Sequence, residues 1–273
     1  MRDFNDQARP PPQARDHQQE LVKLISSLAY RHSAWQVFAD FAEMAAISLS
    51  NAVDVAQREG REARYLEVVR RYGKEEIAKF PLMLAHLVEA LEVDPSDVLG
   101  KTFHDLELHN KWAGQFFTPF PVCRMMAQMM LDGRAAEEMI EARGFVRASE
   151  PAVGSGAMVI ALARAFTDAG INYQQHLHVT AVDVDLKCVH MAYAQLAFLH
   201  VPAIVIHGNS LSLEEHSHWY TPAHIMGGWN FKLRRAAETE ERHEIIRAPE
   251  RPQPAEAQPQ EERPEPPSQL TLF

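Results

Sequence analysis

Two glycines stand at a predicted strand-to-helix turn within residues 150–158, which read Glu-Pro-Ala-Val-Gly-Ser-Gly-Ala-Met. The apolar run 144–148 before this stretch is typical of a strand, and the run 159–166 after it predicts a helix. Glycine lets the backbone come close to a ligand, and the first N–H groups of a helix can bind an anionic group. Gly154 and Gly156 are therefore candidate ligand-binding positions, although a lone Gly-x-Gly also occurs in ordinary turns.

An acidic pair follows the next predicted strand, 178–182. A carboxylate at the end of the second strand of a βαβ unit can accept hydrogen bonds from ribose hydroxyls. The alternative is that Asp183 or Asp185 only caps the helix predicted over 186–199. We expect Asp185 to be that cap and Asp183 to be the ribose ligand.

A third predicted strand, 203–207, leads into Gly208 and Asn209. The ends of neighbouring parallel strands line one crevice of an open sheet. Gly154, Asp183 and Asn209 are therefore expected to converge on one ligand.

Four motifs occur in a characteristic order: GQFFTP at 114–119, EPAVGSGAM at 150–158, AVDVD at 181–185 and HGNSL at 207–211. Together they resemble the N6-adenine DNA methylases, especially the modification subunits of type I restriction systems. The resemblance covers residues 97–211. It implies an α/β fold with a methyltransferase-type, Rossmann-like parallel sheet preceded by a helical domain.

The resemblance also implies S-adenosylmethionine as the cofactor. In that family the first motif contacts the methionine end, the glycine motif wraps the methionine and ribose, and the acid after the second strand binds the ribose. The residue after the third strand, usually Asp, binds the adenine ring, and here it is a neutral Asn. The cofactor positions implied are Phe117, Thr118, Pro119, Glu150, Pro151, Ala152, Gly154, Gly156, Asp183 and Asn209. Without the resemblance, the first motif predicts only packing aromatics and a helix start with Thr118 as its cap.

The chain departs from the family after Asn209. The methylases carry a fourth motif, Asn or Asp followed by Pro-Pro and an aromatic, which holds the target amino group and stacks on the flipped base. The nearest sequence here is Tyr-Thr-Pro-Ala-His at 220–224, which makes Thr221 and His224 the candidate catalytic residues. A Thr hydroxyl is a weak substitute for an amide or carboxylate, so the catalytic part is expected to be altered and truncated.

The formal net charge is -10, and residues 236–273 contribute nine Glu and four Arg to it. This charge balance provides no dominating basic surface for duplex DNA. DNA is nevertheless an expected partner, with another protein helping to bind it. No apolar run is long enough for a membrane span, and the first residues lack a signal-peptide pattern. With buried thiols expected at Cys123 and Cys188, a cytoplasmic location is predicted. The three histidines 216, 218 and 224 predict a polar loop, and no metal site is expected.

The composition divides the chain into five segments. Residues 1–16 are expected to be disordered, 17–110 to form a helical domain and 111–235 the methyltransferase-like domain. A disordered C-terminal tail is expected to follow, with a Pro- and Glu-rich linker at 236–268. The last five residues, Gln-Leu-Thr-Leu-Phe, resemble the peptides with which bacterial replication and repair proteins bind the DNA polymerase sliding clamp. That resemblance implies a clamp-binding role for Gln269, Leu270, Leu272 and Phe273.

Two functions remain open from the sequence. The first is a DNA adenine N6-methyltransferase of the restriction-modification type. The alternative is a non-catalytic, cofactor-binding or DNA-associated scaffold that is tethered to the sliding clamp.

Overall fold

The structure is a computed structural model that describes residues 16–108 and 117–247. The chain falls into two compact units, Met1–Leu233 and Arg234–Phe273. Within the described ranges, no helix has both the length and the apolar character that crossing a membrane would require. Of the segment 1–16 that was predicted to be disordered, residues 1–15 lie outside these ranges, whereas Asp16 is described as the N-cap of the first helix. The predicted peptide at 269–273 also lies outside these ranges.

Six helices form the described amino-terminal segment 16–108, and the first two of them start at side-chain caps. Asp16 accepts a hydrogen bond from the Gln19 N–H before the first helix, and Ser33 caps the second through the Gln36 N–H. The second helix is the longest of the six and buries eleven of its residues. The helices are α1 His17–Ser26, α2 Ala34–Val53, α3 Arg58–Val69, α4 Lys74–Ile77, α5 Phe80–Val93 and α6 Val98–Asp105, with a 3₁₀ turn at Val55–Gln57.

In the described part of the chain, four strands form one sheet in the order of the chain, β1-β2-β3-β4. The first three are parallel, with Val146 beside Leu177 and Val179 beside Ala203, whereas the fourth is antiparallel to the third. The strands are β1 Val146–Glu150, β2 Leu177–Asp183, β3 Ala203–Asn209 and β4 Glu214–Tyr220. The predicted α/β fold, a sheet preceded by helices, is confirmed, and the antiparallel fourth strand is an addition that the sequence analysis did not anticipate.

Seven helices surround or follow the strands. They are α7 Phe120–Met130, α8 Gly133–Arg143, α9 Ala157–Asp168, α10 Tyr173–His176, α11 Leu186–Phe198, α12 Pro222–Met226 and α13 Trp229–Arg247. Ten of the thirteen residues of α11 are buried, because this helix packs against α2 as well as β3. The helical segment and the sheet therefore share one hydrophobic core.

Two segments differ from the sequence-based expectation. The histidine-containing stretch 214–220 is strand β4 rather than a polar loop, since it pairs along β3 from Asn209 back to Ile204. The helix α13 continues to Arg247, into the segment 236–268 that composition assigned to a linker. Its residues there are mostly Ala, Glu and Arg, which favour helix, and the first proline of the tail is Pro249.

Buried histidines make the fold sensitive to acid. The His178 Nε2 lies 2.9 Å from His224 Nδ1, and His224 Nε2 lies 3.0 Å from the Asn230 amide oxygen. Since that oxygen only accepts, His224 donates to it and accepts from His178. Burial, with smaller contributions from His224 and Arg147, lowers the pKa of His178 to about 3. Burial likewise lowers the pKa of His190 to about 4.

We predict that the free energy of unfolding falls as the pH drops from about 6.5 toward 3. The reason is that these histidines bind protons in the unfolded chain but stay neutral in the folded chain. Each such histidine contributes up to about 1.4 kcal/mol per pH unit below its unfolded pKa. Between pH 7 and pH 5, urea unfolding should therefore show a smaller loss of unfolding free energy for His178→Leu than for the natural chain. The exposed His216, changed to Gln, is the control, and an equal pH dependence in all three proteins would contradict the prediction.

Candidate functional site

The polar and glycine positions predicted to bind a ligand meet at the carboxyl end of the parallel strands. β1 ends at Glu150 and leads into the glycine turn, and β2 ends at Asp183. β3 ends at Asn209, two residues past His207, which pairs with Asp183. The sequence-based convergence of these three strand ends is thus present in the fold.

Asp183 ties the first two strand ends together. The Gly154 N–H donates to Asp183 Oδ2 at 2.8 Å, and the Asp185 N–H donates to Oδ1 at 2.9 Å. Burial raises the pKa of Asp183, while these two hydrogen bonds act in the opposite direction. Each carboxylate oxygen keeps a lone pair that can accept from a ligand hydroxyl. Asp185 accepts from the Lys187 N–H and caps α11, as predicted.

The two glycines, Gly154 and Gly156, have different structural roles. Both have positive φ, 55° at Gly154 and 98° at Gly156. A Cβ on Gly154 would lie 3.1 Å from the Phe117 ring, so this glycine leaves room for the aromatic above the turn. A Cβ on Gly156 would lie 3.3 Å from the Ala192 Cα, so this glycine permits close packing of α9 on α11.

The start of α9 is available to an anionic group. Its N-cap, Gly156, has no side chain and makes no capping hydrogen bond. The helix has twelve residues, and its first N–H groups together with its dipole favour a carboxylate or phosphate. A cofactor with an anionic end fits this turn.

The remaining predicted cofactor positions lie around the turn, and they differ in their exposure to solvent. The Phe117 ring packs edge-on against Phe103, with ring centroids 5.0 Å apart. The helix after the first motif has Pro119 as its N-cap without a side-chain hydrogen bond, so Thr118 does not cap it as the sequence suggested. The exposed residues at this rim are Thr118, Pro119, Pro151 and Ala152, and Glu150 accepts from the Ala152 N–H at 3.1 Å.

The side-chain amide oxygen of Asn209 forms hydrogen bonds with the loop after β3. Its Oδ1 accepts from the Leu211 N–H at 2.9 Å and from the Ser212 N–H at 3.4 Å. The Nδ2 group remains as the part that can donate to a ligand. An adenine ring nitrogen is a suitable acceptor for it.

A buried support under the glycine turn escaped the sequence analysis. The Ser155 hydroxyl donates to Asp97 Oδ2 at 2.6 Å, and Gln195 Nε2 donates to Asp97 Oδ1 at 2.9 Å and to the Ser155 carbonyl at 2.8 Å. Asp97 also caps α6 through the Gly100 N–H. The cap is a local contact, whereas the partners Ser155 and Gln195 lie 58 and 98 positions away from Asp97 in the sequence.

The two predicted catalytic residues have structural roles in this geometry. Thr221 is fully buried, and its hydroxyl donates to the Val201 carbonyl and accepts from the Ala203 N–H. The buried His224 is held between His178 and Asn230. Both lie at the amino end of the parallel strands, about 20 Å along β3 from Asn209. The reason is the antiparallel course of β4, which carries the chain back across the sheet.

The family model described as N-6 DNA Methylase matches residues 99–252 of this chain. That match spans more than half of the 273 residues and contains all four strands. The chain belongs to the N-6 DNA methylase family. The resemblance carried by the four motifs is confirmed, and the cofactor of this methyltransferase family is S-adenosylmethionine.

One solved structure among those similar to this N-6 DNA methylase comes from Listeria monocytogenes and is provisionally assigned as a class I S-adenosylmethionine-dependent methyltransferase. The sequence identity is 15%, and the TM-score is 0.41. The alignment covers 72% of this chain and 55% of the other, so this chain spans little more than half of that protein. A search of curated protein sequences gave no match.

Proposed function

We propose that the protein binds S-adenosylmethionine at the carboxyl ends of β1, β2 and β3, which together form the cofactor edge of the sheet. The observation that carries this proposal is the 2.8 Å hydrogen bond from the Gly154 N–H to Asp183, which joins the glycine turn to the acid of the second strand. A ligand at this edge would meet a helix start, a buried carboxylate and an amide within one crevice.

Each group at the edge has a task that its chemistry supports. The uncapped start of α9 would hold the cofactor carboxylate, with Phe117 forming the apolar side of the turn. Asp183 would accept from the ribose hydroxyls, and the Asn209 Nδ2 would donate to the adenine ring. When bound, S-adenosylmethionine supplies an activated methyl group, which a base nitrogen can take directly if it is held in line.

Calorimetry tests the ribose assignment. We predict that Asp183→Asn weakens S-adenosylmethionine binding by roughly tenfold to a hundredfold, because a charge-assisted hydrogen bond worth about 1.5–3 kcal/mol is lost. Asp185→Asn is the matched control, since Asn caps a helix as well as Asp does and the side chain only serves α11. Equal affinity in Asp183→Asn and the natural chain would reject the ribose role, and no binding by the natural chain would reject the site.

The proposed reaction is methylation of adenine N6 in DNA, in a restriction-modification setting. It rests on family membership and on the motifs that form the cofactor edge. The base-holding tetrapeptide of the family is absent after Asn209, and the two residues that could replace it are buried at the other end of the sheet. On this proposal the described residues would bind and orient the cofactor but offer no group in place of that tetrapeptide.

We accordingly predict that the purified chain transfers methyl groups to DNA weakly or not at all. The measurement is tritiated-methyl incorporation into unmethylated and hemimethylated duplexes, at a protein concentration that saturates cofactor binding. Robust adenine methylation by the chain alone would contradict the prediction. A loss of that activity in Thr221→Ala would then assign the hydroxyl a role that its buried position does not suggest.

The second candidate function is a cofactor-binding scaffold tethered to the bacterial sliding clamp. The observation that favours it is the structural use of Thr221 and His224, together with the clamp-like residues 269–273. Leu270, Leu272 and Phe273 would act as apolar anchors and Gln269 as a directional hydrogen-bonding group. Tethering would raise the local concentration of an acidic protein near DNA without requiring strong DNA affinity.

Polarisation titration of a labelled peptide covering residues 264–273 against the clamp tests the tether. We predict saturable binding in the micromolar range, because three apolar anchors and one polar contact form a small interface. Binding should fall at least tenfold when Leu272 and Phe273 are both changed to Ala. The absence of binding at tens of micromolar, or equal binding by the altered peptide, would exclude the tether and leave the cofactor proposal untouched.

A further inference from the structure

Helix α7 has two apolar faces, and only one of them is covered by the described residues. Cys123 and Ala127 are fully buried against Ala157, Ala161 and Ala165 of α9. The other face carries five large apolar side chains with successive spacings of three, one, three and one residues, which places them on one side of the helix. This methionine stripe consists of Val122, Met125, Met126, Met129 and Met130, which are between 39% and 80% exposed.

The methionine stripe continues into an apolar groove. A cavity of about 300 Å³ lies between α7, α8, β1 and α9, and Met130 belongs to both the stripe and the cavity. Its apolar wall includes Leu131, Met139, Val146 and Ala148. Among the described strands β1 pairs only with β2, so its other edge is open on the side of this groove.

The size of this surface is at the upper end of what a chain that acts alone exposes. The five side chains of the stripe expose on the order of 500 Å², which is toward the upper end of the largest apolar patches on monomers. With the groove, the surface approaches the roughly 800 Å² per partner of a stable protein–protein interface. None of the five side chains is charged, so the stripe offers a nucleic acid backbone no cation.

We propose that the methionine stripe and the adjoining groove form the interface of a homodimer. A two-fold axis across α7 sets two copies of the helix antiparallel, so that the methionines at the end of one helix lie over Val122 of its partner. Met125 and Met126 then meet their own copies at the axis. An isologous contact needs a self-complementary surface, and flexible methionine side chains adapt to each other more readily than branched ones do.

Light scattering after size exclusion, from about 1 to 100 µM protein, measures the oligomeric state directly. The natural chain is expected at twice the chain mass of 30.9 kDa. The double substitution Met125→Glu with Met129→Glu places two like charges of each copy in the contact, and it is expected to weaken the dimer at least a hundredfold. Both positions are exposed, so the substituted chain should keep its far-ultraviolet circular dichroism spectrum.

Met226→Glu is the matched control, because Met226 is 70% exposed and lies on α12 rather than on the stripe. It is expected to remain a dimer. The proposal is overturned if the natural chain is a monomer at 100 µM, if the double substitution stays dimeric, or if the control dissociates to the same extent. Light scattering and circular dichroism need no cofactor, so this test is independent of the proposed cofactor site.

Discussion

The buried carboxylate of Asp97 holds the glycine turn in place, and the proposed cofactor site depends on it. It receives hydrogen bonds from the start of α6, from the Ser155 hydroxyl and from the Gln195 amide. Burial raises the pKa of Asp97, and these donors offset part of the cost of removing the carboxylate from water. One side chain thereby fixes three elements that are far apart in the sequence: a helix of the amino-terminal segment, the glycine turn and the central helix α11.

The direction of the strands decides which residues can share a site. Three parallel strands bring the glycine turn, Asp183 and Asn209 to one edge of the sheet. The antiparallel fourth strand reverses that direction. It places Thr221 and His224 at the amino ends of the parallel strands, where they form hydrogen bonds with the first residues of β2 and β3. The topology of the sheet therefore separates the proposed cofactor residues from the two residues that stand nearest in sequence to the family's base-holding tetrapeptide.

Much of this arrangement could be predicted from local patterns. The glycine turn, the cap at Asp185 and the three parallel strands all have short-range signals, and each is present. The Gln195 contact has no such signal, because the partners are 98 residues apart and only the packed fold brings them together. The strand β4 was predicted as a loop, since its first five residues are polar or charged and only Trp219 in it is buried.

The helix α11 also sets the order in which the chain can fold. Because α2 packs against α11, its apolar face cannot be covered before residue 198 has been made. Ribosomes add about 5–20 residues per second, so the interval from the end of α6 to the end of α11 lasts on the order of 5–20 s. During synthesis the apolar face of α2 that α11 covers in the folded chain is therefore without that cover for this interval.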